Sequence, residues 1–162
     1  VEKLKSMITQ AFPLLASDKF FKITSPQDPN YNCIAWAYAM FKDRWMWPPI
    51  TPEGIIFQPL DGYPWWPEGV TIGAGIECLV EAFEKKGFVR CDSWEHENGF
   101  VKVALYYNPQ NGYMTHAARE SRQHDCWLGK LGPSHDIHHG TPYTIEGTTY
   151  GKVFCIMKLE DK

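Results

Sequence analysis

The chain has 162 residues, one domain's length, and its 44% apolar and 22% charged content is that of an ordinary globular protein. These values exclude a disordered tail, a collagen-like fibre and a coiled coil, and no apolar run approaches the ~20 residues of a membrane span. Sixteen Lys and Arg against nineteen Asp and Glu leave a net charge of −3 with no basic block, which argues against nucleic acid or an anionic membrane as partner.

In chain order, Leu4, Met7, Ile8 and Phe12 recur at helical spacing, so a helix is expected over 2–12, ending before Pro13. Ser25-Pro26-Gln27-Asp28-Pro29-Asn30 is turn chemistry. Cys33 to Phe41 follows, apolar nearly all round, and reads as a buried helix with Asn30 or Asn32 as its N-cap. Residues 44–70 hold Trp45, Trp47, Trp65 and Trp66 among prolines and glycines. That segment is too apolar for a solvated linker and is expected as an ordered loop over the body. A second amphipathic helix is expected over 74–87, with Ile76, Leu79, Val80 and Phe83 inward and Gly87 as its stop.

From residue 88 the period becomes two. Phe100–Tyr107 reads as a strand, Asn108–Gly112 as a hairpin turn, and Tyr113–Arg119 as the returning strand. Cys126–Leu131 and Lys152–Lys158 complete the strands, while the His135-Asp136-Ile137-His138-His139 stretch reads as a loop. Its histidines, with His124, invite a metal reading. The segment lacks the Glu that a His-Glu-x-x-His site requires, so no metal site is assigned. No cofactor is called for either.

The five cysteines, at 33, 78, 91, 126 and 155, are an odd number with no Cys-x-x-Cys pair. A full disulfide framework and a structural zinc site are therefore not expected. Reduced thiols point to the cytoplasm. The opening residues Val1–Lys5 are not patterned as a secretory signal. Export through a segment removed earlier, or delivery by another system, stays open.

Cys33 with His116 is the strongest chemical constellation. A thiol in the first turn of a helix, with an imidazole on a neighbouring strand, has the parts of an activated nucleophile. The structural alternative is a packed cysteine and an unrelated strand histidine. The Asn32-Cys33-Ile34-Ala35-Trp36-Ala37 block resembles the nucleophile helix of papain-like cysteine peptidases, and Thr115-His116-Ala117-Ala118 resembles their histidine strand. Trp127–Gly132, Glu146-Gly147 and Tyr150–Val153 resemble the closing hairpin and last strand. Over about residues 23–159 the chain also looks like an uncharacterised family of small bacterial proteins carrying Tyr-Asn-Cys-Ile-Ala-Trp-Ala and Thr-His-Ala-Ala-Arg blocks.

The resemblance implies a single α+β domain of papain-like type over 1–162, with N-terminal helices packed on a twisted antiparallel sheet and 44–70 as a loop insertion. It implies an oxyanion site from Gln27 and the Cys33 N–H. The strand after the histidine, Leu128-Gly129-Lys130-Leu131, offers no residue to orient His116, and Asp136 is the nearest substitute. Asn32, Trp45, Trp47, Trp65 and Trp66 are assigned to substrate binding. The expected activity is acyl transfer on a protein or peptide amide by a peptidase, amidase or deamidase. The alternative is a binding or immunity-type module that meets a partner protein through the aromatic loop.

Overall fold

The computed structural model describes residues 2–24, 28–123, 125–131 and 135–161. The first amphipathic segment forms α1 (Glu2–Ala11), followed by a 3-10 turn at Pro13–Ser17 whose leading proline sits where no N–H is needed. A short strand β1 (Lys22–Ile23) precedes α2 (Cys33–Ala39), and α3 (Ile76–Lys86) ends at Gly87, with φ 114°. The remaining strands are β2 (Val89–Cys91), β3 (Phe100–Tyr107), β4 (Met114–Glu120), β5 (Trp127–Lys130), β6 (Asp136–His139) and β7 (Lys152–Glu160). Ser25-Pro26-Gln27, His124 and residues 132–134 lie outside the described residues.

The strands form one sheet in the order β1-β6-β5-β4-β3-β7-β2, and every neighbouring pair is antiparallel. This overturns the expected α+β, papain-like layout with N-terminal helices packed on the sheet. Seven strands dominate the structure, and the three helices have only 10, 7 and 11 residues. The strands that reading lacked are the short ones. β1, β2 and β6 have two, three and four residues, too few for a hydrophobic period to appear.

Alternation along the strands builds a core on each face. Val103, Leu105, Ala117 and Met157 face α2 and α3, in a core with Ile34, Leu79 and Phe83. Ala104, Tyr106, Ala118, Trp127, Ile137 and Ile156 face the other way, toward Ile8 and Phe12. Strand β3, between β4 and β7, is thus covered on both sides, which explains its almost continuously apolar sequence.

The 44–70 segment folds back on the α2–α3 core. Trp47, Trp65 and Trp66 pack against that core, and Trp65 lies 5.8 Å from the Tyr38 ring and 5.6 Å from the Phe41 ring. Arg44 caps this cluster, its guanidinium 3.9 Å over Phe41.

Asn32 ties the loop to α2. Its Oδ1 accepts from Ala35 N at 3.1 Å and Met46 N at 3.0 Å, and its Nδ2 donates to the Met46 carbonyl at 2.8 Å. Asn32→Ala should destabilise the protein by about 2–3 kcal/mol, because a helix cap is lost and buried Met46 groups are left unpaired. Urea unfolding measures this. A loss below ~0.5 kcal/mol, the scale of ordinary surface substitutions, would show that the clamp is not structural.

Candidate functional site

β4 is the central strand of the sheet, and the site is built on its two sides. Cys33 opens α2 and is 6% exposed. β4 pairs with β5 only at Arg119–Leu128 and Glu120–Trp127. Beyond that point the strands part, and the Ala117 N–H meets the Cys33 thiol. Burial pushes this thiol up to about 11. The N–H groups of Ala117, Ile34 and Cys33 and the Lys130 ammonium act the other way, favouring thiolate, and are outweighed.

His116 precedes Ala117, so strand alternation turns its side chain to the opposite face, opposite Tyr106 in register. It is fully buried, stacked on Tyr150 at 3.9 Å and edge-on to Tyr106 at 5.2 Å. Burial holds the imidazole well below its ordinary pKa, and His139 adds to the effect. Neither ring nitrogen meets a hydrogen-bond partner. Cys33 and His116 thus flank the same stretch of β4 without a hydrogen bond between them. Tyr106 and Tyr150, the rings that enclose His116, both feel the charge of a Cys33 thiolate. At neutral pH the resting pair is thiol and neutral imidazole, not an ion pair.

A second buried histidine lies two strands away. Ile137 and His139 are the inward residues of β6, while Asp136 and His138 point to the other side. His139 Nδ1 is 2.8 Å from the Thr141 carbonyl, which can only accept, so the proton is on Nδ1. Its Nε2 has no partner, and burial depresses its pKa to about 4. Between the two histidines, on β5, stands Gly129. A β-carbon there would lie 3.3 Å from His139 Nε2 and 3.4 Å from His116 Nε2.

Asp136, the expected partner of His116, is engaged elsewhere. It accepts from the Tyr31 hydroxyl at 3.1 Å and pairs in register with Lys130, whose ammonium lies 4.6 Å over the Tyr31 ring. These three residues form a polar cluster on the Cys33 side of the sheet. Gln27 lies outside the described residues. Asn32 is a cap and clamp. Trp47, Trp65 and Trp66 lie on the α2–α3 core, and Trp45 is half-buried, its carbonyl accepting from Trp65 N. Arg119 points away from His116, as its position predicts, and donates to the Ala37 carbonyl near the end of α2 at 2.8 Å.

Two cavities lie along these strands. One of about 100 Å³ opens beside Trp36, Gly129, Lys130 and Asp136. A larger one, about 550 Å³, is lined by Asn108, Thr115, Glu146, Thr149 and Lys152. Its lining includes Thr115 of β4 but neither Cys33 nor His116, both of which are buried. Sequence reasoning missed His139, Lys130 and Tyr150. A period-two reading of 136–139 would have put His139 beside Ile137 on a buried face, but nothing in the sequence marks Lys130 or Tyr150. Among the described residues, no three His, Cys, Asp or Glu side chains converge as metal ligands. No described helix is long and apolar enough to cross a membrane.

Fold and site define an antiparallel β-sheet protein whose central strand buries a cysteine on one side and a histidine between two tyrosines on the other. The family model described as a domain of unknown function, DUF7689, matches residues 22–158, and the chain belongs to that family. No curated protein and no solved structure matches it.

Proposed function

We propose that the protein is a cysteine-dependent acyl-transfer enzyme, a peptidase, amidase or deamidase, acting on a protein or peptide amide. Cys33 is the nucleophile and His116 its proton acceptor. The observation that carries this reading is His116 itself, fully buried with two unpartnered nitrogens one residue from the N–H that meets the thiol. Leaving a buried polar atom unpaired costs about 1–3 kcal/mol, a cost that a purely packing residue would not require.

In the proposed reaction Sγ bonds to the amide carbonyl carbon while the thiol proton passes to His116. His116 then delivers that proton to the departing amine, and water hydrolyses the thioester. Gln27 and the Cys33 N–H stabilise the oxyanion, as the resemblance of the Asn32–Ala37 block implies.

Cysteine-by-cysteine labelling tests this, with iodoacetamide and a peptidyl vinyl sulfone as probes at pH 7–9. The vinyl sulfone should form one adduct, on Cys33, despite its burial. His116→Ala should slow that reaction roughly 100-fold, the scale of general-base assistance. Cys126 serves as internal control, because its thiol contacts a different imidazole, His138 Nδ1 at 3.5 Å. If His116→Ala leaves the Cys33 rate unchanged, the reading fails.

One observation favours a binding role instead. Ile55, Ile56 and Leu60 project from the 44–70 loop at 63%, 58% and 80% exposure, an apolar surface of the kind partner proteins use. On that reading the loop is the functional surface and the buried centre has no turnover.

A further inference from the structure

Arg119 and Arg122 line one cavity of about 320 Å³, together with Trp36, Met40, Val101 and Asp161. It lies where the end of β4 meets the end of α2, since Arg119 Nη1 donates to the Ala37 carbonyl at 2.8 Å. Arg122 reaches the same corner from the turn after β4, its Nη2 3.9 Å from Met40 Sδ, a weak acceptor. Two cations thus converge on one hollow. Neither has a carboxylate within ion-pair distance among the described residues. Glu120, between them in sequence, is used elsewhere: Oε1 accepts from Lys102 N at 3.1 Å, and Oε2 lies 2.8 Å from His96 Nδ1. Burial lowers the Arg119 pKa and the charge of Arg122 lowers it further, while Asp161 acts the other way without offsetting them. A half-buried guanidinium beside a second cation is costly unless an anion completes it.

We propose that this cavity binds a monocarboxylate carried on an apolar body, the carboxylate accepting from Arg119 and Arg122 and the body lying against Trp36 and Met40. The Ala37 bond uses Nη1 of Arg119 and fixes its guanidinium plane, so the other N–H groups are donors held in place before a ligand arrives. The rest of the wall is apolar, with Trp36 and Met40 half-buried and Val101 buried. With Glu120 occupied, two arginines against Asp161 leave a single net positive charge. One carboxylate cancels it, and a phosphate dianion overcompensates it. A free organic acid and the C-terminus of a peptide ending in an apolar residue share this chemistry. Neither Cys33 nor His116 lines the cavity, so this is a recognition site that stands whether or not Cys33 turns over.

The test titrates ¹⁵N-labelled protein with N-acetyl-leucine, hexanoate, N-acetyl-leucinamide and inorganic phosphate, followed by ¹H–¹⁵N NMR. At least one of the two acids should shift the Trp36 indole and Arg119 Nε signals saturably, in the millimolar range or tighter. The tighter of the two tells a peptide terminus from a simple organic acid. The amide lacks the charge and should bind at least about tenfold more weakly than N-acetyl-leucine. Arg122→Gln, at an exposed position, should weaken acid binding roughly tenfold and leave the urea midpoint unchanged. Raising the salt from about 0.05 to about 0.5 M should weaken it as well. The proposal is overturned if neither acid shifts those signals or if the amide binds as tightly as its acid. It is equally overturned if phosphate binds more tightly than both acids, or if folded Arg122→Gln binds them like wild type.

Discussion

Acidification from pH 6.5 to 4 should cost the fold about 3 kcal/mol through His139 alone, since its folded value of about 4 lies well below the ordinary 6.5 and each unit is worth ~1.4 kcal/mol. The sign follows from which state binds the proton. Above pH 6.5 both folded and unfolded chains hold neutral histidine, and neither gains. Below it the unfolded chain takes up a proton that the buried ring refuses, so stability falls until the pH passes the folded value. His116 is depressed in the same direction for the same reason, burial first and His139 second, and steepens the loss. The carboxylates held low by partners, Asp43, Glu81, Glu97 and Asp125, add to the loss from about pH 5 downward, where unfolded carboxyls begin to protonate. Urea titrations at pH 7.0, 6.0, 5.0 and 4.5 measure the slope. Stability that stays flat between pH 7.0 and 5.0 would mean that the histidines are not buried neutral in solution. A His116→Gln, His139→Gln double variant should lose most of the slope, and retaining it in full would assign the effect to other groups.

The second large effect is expected at Phe83, the most enclosed aromatic residue of α3. It is 0% exposed and meets Tyr38 edge-on at 5.3 Å and Phe88 at 5.2 Å. Phe83→Ala removes the ring that joins α3 to α2, and large-to-small changes of this kind cost about 3–5 kcal/mol. The helix does not itself lose propensity, since Ala is the better helix former. The expected result is a fall in the urea midpoint with an unchanged slope, as for a cavity without gross rearrangement. A loss under ~1.5 kcal/mol would show that the α2–α3 core closes over the gap. Because Tyr38 also supports Trp65, the near-ultraviolet dichroism of the aromatic loop should weaken together with the stability.

Much of the fold could be read before any contact was known. α1, α3, β3, β4 and β7 stand close to where hydrophobic periods place them, with Asn32 as a cap and Gly87 as a stop. These elements are long enough, at seven residues or more, for side-chain spacing to name them. β1, β2 and β6 are not. They exist because a neighbour supplies hydrogen bonds: Lys22–Ile23 against β6, Val89–Cys91 against β7, and Asp136–His139 against β5. Losing those short strands made the expected architecture too helical.

The candidate site divides in the same way. Cys33 and His116 stand out from residue type and local pattern alone, because a cysteine opening an apolar helix and a histidine within an apolar strand are local features. Their relation is not local. Alternation about Ala117 puts the two side chains on opposite sides of β4, and the order β6-β5-β4 sets His139 and His116 on either side of a glycine. Asp136, three residues from His139, is turned by the same alternation toward Tyr31 and Lys130. The sequence by itself determined the element types, the turn and cap chemistry, and which residues could react. The tertiary structure decided which of them meet and what charge they carry, because strand neighbours are set by pairing over many residues and protonation by how completely the assembled sheet excludes water.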